Sequence, residues 1–137
     1  MKYFLDVIAL LNDTRSRTAR RARRHKPADV GISAIVVHEL YYGAFKSQRR
    51  ARNVALIDAL QFEVMEFDQF DQEDAKQAGE VRALLAARGA PIGPCEVLIA
   101  GQARARKLIL VTRNTAEFAR VPDLRIEDWE SERGKKR

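Results

Sequence analysis

The 137 residues suffice for one domain with its own core, and 46% hydrophobic against 32% charged residues marks an ordinary globular chain rather than a disordered one. One cysteine, Cys95, excludes an internal disulfide framework and fits a reducing cytosol, so a cytoplasmic location is expected; with two histidines beside it, a zinc site of the Cys/His type is not expected. The net charge of +6 and a pI near 9.8 favour a polyanionic partner or an acidic peptide.

No apolar run approaches the roughly 20 residues that span a bilayer, so no membrane association is expected. The start, Met1-Lys2-Tyr3-Phe4-Leu5-Asp6, meets a charge too soon for a secretory signal. Lys2 to Leu5 reads as a strand ending at Asp6, with a helix beginning in the apolar stretch from Val7 to Leu11. The stretch from Arg15 to Lys26 reads as an exposed helix closed by Pro27. Asp29 to Ile32 is the second strand, and Ser33 is the expected N-cap of the next helix. On that helix Ile35, Glu39 and Tyr42 share a face, with Val36, Leu40 and Gly43 beside them, which sets Glu39 in an apolar stripe.

Ser47 is expected to open a helix through Leu60, and the alternation from Phe62 to Phe67 predicts a third strand. Asp71-Gln72-Glu73-Asp74 gives an acidic first turn to a helix running to Arg88, stopped by Gly89. Gly93-Pro94 reads as a helix start, because proline at the first helical position loses an amide that had no partner, and the helix that follows is almost wholly apolar. Glu96 enters that helix as a charge in need of a partner. Leu108 to Thr112 is continuous and β-branched, as a buried parallel strand should be. Asn114 to Phe118 reads as a turn with a short helix, and Leu124-Arg125-Ile126 as a last edge strand. The alternation of strands and helices predicts an α/β fold in one domain, residues 1–130, with a central, mostly parallel sheet of four to five strands flanked by helices. Residues 131–137 read as a basic, frayed tail.

In open parallel sheets, sites form beyond the carboxyl ends of the strands. Connectivity brings Asp6, Glu39, Glu96 and Asn114 toward one such edge. Carboxylates a few ångströms apart repel, and they stay ionised together around a cation. Oxygen donors without soft ones point to Mg²⁺ or Mn²⁺, which can activate water against a phosphodiester. Each residue also has a plainer reading. Asp6 can cap a following helix, Glu96 can answer the helix dipole, Asn114 can be a turn residue and Glu39 can reach solvent. Cys95 is most simply a small buried hydrophobe. The basic runs supply a candidate RNA-binding rim of Arg20, Arg21, Arg23, Arg24, Arg49, Arg50 and Arg113, although such runs also occur as solvated helix faces.

The segments Tyr3-Phe4-Leu5-Asp6, Ile32 to Ala44 with Glu39 at its centre, Gly79-Glu80-Val81-Arg82-Ala83, Pro91 to Ala100, Leu110 to Phe118 and Val121 to Trp129 occur in an order that resembles PIN-domain ribonucleases of the VapC type. These are the toxin halves of type II toxin–antitoxin pairs. The resemblance implies a Mg²⁺- or Mn²⁺-dependent endoribonuclease of structured or messenger RNA, working as a homodimer. It also implies neutralisation by a cognate antitoxin whose segment enters the acidic groove, with DNA contacted indirectly through that antitoxin. In the family pattern Asp6, Glu39 and Glu96 match the catalytic, metal-ligating acids, and Asn114 matches a fourth ligand position. Three features depart from the pattern: Val7-Ile8 replaces a polar pair after Asp6, Glu96 stands for an aspartate, and Asn114 carries no charge. They motivate the alternative of an impaired PIN-like protein that binds RNA or antitoxin without efficient cleavage. A nucleotide-binding domain is a weaker competitor, because no Gly-rich phosphate loop follows any expected strand.

Overall fold

A computed structural model describes residues 2–6, 20–21, 24–26, 29–63 and 66–130. The expected helix after Asp6, most of the basic helix before Pro27, and the tail from residue 131 lie outside these residues. The strands are β1 (Tyr3–Asp6), β2 (Val30–Ser33), β3 (Glu66–Asp68), β4 (Ile109–Thr112) and β5 (Arg125–Glu127). The helices are α1 (Ala34–Lys46), α2 (Arg50–Glu63), α3 (Gln72–Ala87), α4 (Pro94–Ala105) and the single turn α5 (Thr115–Phe118). The sheet has five strands in the order β3-β2-β1-β4-β5, and every pairing is parallel. The α/β expectation therefore holds. Among the described residues no helix is long and apolar enough to cross a membrane.

Parallel strands are buried on both faces because the crossover helices cover them. Phe4 and Leu110 pack into a cluster with Val36 and Leu40 of α1, Val81 and Leu85 of α3, and Ile99 and Ala103 of α4. Tyr3, Leu5, Val30, Ile109 and Val111 form a second cluster closed by Trp129. Ser33 caps α1 as expected, its hydroxyl accepting from the Ile35 amide at 3.0 Å. The acidic turn of α3 is a full capping box between Asp71 and Asp74. Asp74 is buried, and the Arg106 guanidinium pairs with it at 2.8 Å, which compensates the charge.

Two boundaries differ from the expectation. Ser47 closes α1 rather than opening α2: its hydroxyl donates to the Ala44 carbonyl at 2.6 Å and accepts from the Asn53 amide. The alternating stretch from Phe62 begins as the end of α2, and β3 is confined to the three residues that pair with β2. Short apolar alternation does not separate a helix end from a strand, so the register with β2 decides.

A close approach of α3 and α4 is made possible by a glycine. A Cβ on Gly101 of α4 would lie 2.5 Å from both the nitrogen and the Cα of Ala78 in α3. Gly101→Ala gains about 1 kcal/mol of helix propensity but forces two backbones apart, an overpacking cost of about 1–3 kcal/mol or more. The substitution should lower the denaturation midpoint in urea without changing the slope; an unchanged or raised midpoint would show that α3 and α4 can separate freely.

Candidate active site

The chain leaves β1 on one side toward β2 and returns through β4 on the other, which makes the carboxyl end of β1 a topological switch point. Asp6 is the last residue of β1 and is in register with Thr112, the last residue of β4. The buried Thr112 hydroxyl donates to Asp6 Oδ2 at 3.1 Å and accepts from the Asn114 amide at 3.0 Å. Beyond the end of β2, α1 carries Glu39 half-buried at the border of its buried stripe Val36-Leu40-Ala44. The stripe itself is apolar throughout, so Glu39 lies beside it rather than within it, near enough for Asp6 to feel its charge.

From the third side comes α4. Gly93 is its N-cap and offers no side chain, Pro94 takes the first helical position, and Glu96 stands in the first turn. The Glu96 side chain curls back over Gly93: a Cβ there would sit 1.9 Å from Glu96 Oε1. The Gly93 amide donates to Glu117 Oε2 at 2.9 Å, and the Asn114 side-chain amide donates to Glu117 Oε1 at 2.8 Å.

The charges are mutually felt. Burial, opposed by the Thr112 hydrogen bond and reinforced by repulsion from Glu96, Glu39 and Glu117, pushes the Asp6 carboxyl from its ordinary 3.8 up to about 7. Glu96 is also raised, first by burial and then by Glu117 and Glu39, against a hydrogen bond from its own backbone. Glu117 is held below the usual range by the Gly93 amide and the Asn114 side chain. Oxygen donors crowded in this way suit a hard divalent cation, whose charge removes the repulsion that they otherwise sustain.

Asp6, Glu39 and Glu96 thus lie near enough for Asp6 and Glu96 to feel their neighbours' charge, although the three do not bring a ligand atom each to within 4.8 Å of one another. Asn114 reaches the same edge, but its side-chain amide holds Glu117, an acid not among those expected from the sequence. Its signal was its spacing, three residues beyond Asn114 on the same helical turn. Thr112 was equally hidden, because its contact with Asp6 depends on strand register. Cys95 departs from the simple reading of a buried hydrophobe: it is half-buried, hydrogen-bonded to Glu39, and its thiol is pushed up to about 11 by burial and that contact.

The basic rim divides. Arg20, Arg24, Arg49, Arg50 and Arg113 are exposed, with Arg113 directly after Thr112. Arg50 Nε donates to the Phe45 carbonyl at 2.9 Å. Arg21 is engaged by the fold instead: it lies 5.0 Å from the Trp129 ring centre and 3.6 Å from Glu127. Arg23, Val7 and Ile8 are outside the described residues.

Residues 3–124 match the PIN domain model. The chain is 40% identical over 131 residues to the tRNA(fMet)-specific endonuclease VapC of Shigella flexneri, covering 94% of this chain and 98% of that one. It is 35% identical over 131 residues, with the same coverage, to ribonuclease VapC2 of Haemophilus influenzae. Among solved structures, it is similar to DNA-bound VapBC from Salmonella typhimurium, with a TM-score of 0.87 and 36% identity over 94% of this chain and 98% of that chain. It is also similar to VapBC-1 from nontypeable Haemophilus influenzae, with a TM-score of 0.82 and 29% identity over 96% and 100% of the two chains.

The raised Asp6 carboxyl sets a pH dependence. The folded state holds this proton more tightly than the unfolded state, so the associated stability is present below pH 4 and is lost as the pH climbs to about 7. Without metal, wild type should therefore lose melting temperature between pH 5 and pH 8 relative to Asp6→Asn. Parallel profiles for the two proteins would refute the raised Asp6 carboxyl.

Proposed function

The chain belongs to the PIN-domain family, in its VapC branch, and from that premise we propose that it is a toxin endoribonuclease of a type II toxin–antitoxin pair, neutralised by a cognate antitoxin. The observation that supports this reading is the position of Asp6 at the carboxyl end of β1, where burial and the charges of Glu96, Glu39 and Glu117 push it up to about 7. PIN-domain nucleases depend on a divalent metal, and for this chain the hard donor set favours Mg²⁺ or Mn²⁺. Asp6, Glu39 and Glu96 would hold the ion, with Glu117 in place of the uncharged Asn114 as the fourth acid. When bound, such an ion supplies positive charge to a phosphodiester under attack and acidifies water for use as the nucleophile.

The chain's own residues do the rest. Thr112 orients Asp6 through its hydroxyl, and the Gly93 amide with Asn114 orients Glu117. Uncompensated, the acids repel a polyanionic substrate, so RNA and metal bind in support of each other. Arg20, Arg24, Arg49, Arg50 and Arg113 hold the RNA backbone around the acidic edge by phosphate contacts, which position without specifying sequence. Transfer RNA is the first substrate to test, because relatives from Shigella flexneri and Salmonella typhimurium are named tRNA(fMet)-specific endonucleases.

The proposed setting is cytoplasmic. A homodimer bound by antitoxin fits the VapBC complexes formed by structural neighbours, with operator DNA reached through the antitoxin. Tyr42, Phe45 and Leu56, exposed by 58%, 53% and 42%, offer apolar surface on α1 and α2 for the antitoxin.

Purified chain should cleave tRNA or total RNA with Mg²⁺ or Mn²⁺ and stop with EDTA. Asp6→Asn and Glu39→Gln should each cost about 100-fold or more in rate, the scale of a displaced catalytic group. Cleavage that persists in EDTA and is unaffected by Asp6→Asn would overturn the mechanism. RNA binding without turnover in wild type would favour the impaired alternative.

The curl of Glu96 over Gly93 makes a second expectation. The backbone already accommodates the longer side chain, so Glu96→Asp should slow cleavage by about 10–100-fold. A faster Glu96→Asp enzyme would show that Glu96 is a misplaced ligand.

A further inference from the structure

Beside the hard-oxygen cluster lies a group of different chemistry. His38 and Glu39 are consecutive in α1, and Cys95 is in the first turn of α4. One ligand atom from each, an imidazole nitrogen, a carboxylate oxygen and the thiol sulfur, lies within 4.8 Å of the other two. Among the described residues this is the group of three or more such side chains that comes so close together, rather than Asp6, Glu39 and Glu96.

We propose that His38, Glu39 and Cys95 form a second metal site that takes a thiophilic divalent cation of the Zn²⁺ class. Nitrogen, oxygen and sulfur donors together select such an ion over Mg²⁺ or Mn²⁺. Three protein ligands with one open position is the arrangement of accessible zinc sites, as opposed to closed structural ones. Zinc binds sulfur at about 2.3 Å and nitrogen at about 2.0–2.1 Å, so the donors must draw in by roughly an ångström. The exposed His38 can do this by side-chain rotation, and the half-buried Cys95 and Glu39 already share a hydrogen bond.

Binding forms a zinc–sulfur bond and releases the Cys95 thiol proton to the buffer, with no change of oxidation state. The sequence argued against Cys/His zinc sites by counting residues of those types. The structure supplies the missing third ligand as a carboxylate.

Glu39 is shared between the two sets. A zinc ion on His38 and Cys95 withdraws Glu39 from the catalytic acids, so zinc inhibits Mg²⁺-dependent cleavage. That consequence rests on the proposed function; the binding itself does not.

The test uses the reduced full-length chain with Zn²⁺ and Co²⁺ as probes. Co²⁺ should produce a thiolate-to-cobalt charge-transfer band with strong visible bands of a four-coordinate ion, and stoichiometric Zn²⁺ should displace it. Cys95→Ser should abolish the charge-transfer band, and His38→Gln should weaken Zn²⁺ binding tenfold or more, with circular dichroism confirming that both variants fold. Asp6→Asn should keep the band while losing cleavage, which separates failure of this site from failure of the nuclease reading. Zinc inhibition, expressed relative to each variant's own zinc-free rate, should be relieved in His38→Gln. Absence of a thiolate band in wild type, or Zn²⁺ affinity that survives both Cys95→Ser and His38→Gln, would overturn the proposal.

Discussion

Repulsion among carboxylates that the fold holds together is the constraint on which the rest depends. Asp6 is seated by a strand end, Glu39 by the helix after β2, and Glu96 and Glu117 by two helix starts that meet at Gly93. None of these supports is local to another in sequence. Left to themselves the acids would separate, and the half-buried Asp6 is pushed up to about 7, first by burial and then by the charges of Glu96, Glu39 and Glu117. Such a cluster is costly in isolation and becomes favourable when a cation is shared, which is how a stability cost becomes a binding site.

Small features decide how the acids are aimed. Thr112, in register with Asp6, gives its hydroxyl to the carboxylate and receives the Asn114 amide, so one residue links the ends of β1 and β4 to the loop beyond. Gly93 acts twice: its amide fixes Glu117, and its lack of a side chain leaves space for the longer arm of Glu96. The helix at Pro94–Ala105 is thereby both a core element, packed through Gly101 against Ala78, and the carrier of the proposed ligand Glu96 at its positive end.

Much of this was legible in the chain. The Leu108 to Thr112 run, the Gly93-Pro94 helix start and the Ser33 cap are local signals, and they place the strands and helices that carry Asp6, Glu39 and Glu96. What depended on pairing across the sheet was not legible. Thr112 is an ordinary strand residue until β1 lies beside it, and Glu117 is an ordinary helix residue until the Gly93 amide reaches it. The end of α2 resembles a strand in sequence because short alternation suits both, and Ser47 is ambiguous because a hydroxyl between two helices can serve either. The grouping of His38 with Cys95 has no sequence signature, since the two residues lie on different helices and meet through the packing of those helices near Glu39.

If acids from β1, α1 and α4 share one cation, anomalous diffraction from crystals soaked in Mn²⁺ will show it. A manganese peak is expected within coordinating distance of Asp6 and of at least one of Glu39 and Glu96, lost in Asp6→Asn crystals. Manganese bound elsewhere on the chain, or at this edge with Asp6 uninvolved, would contradict it.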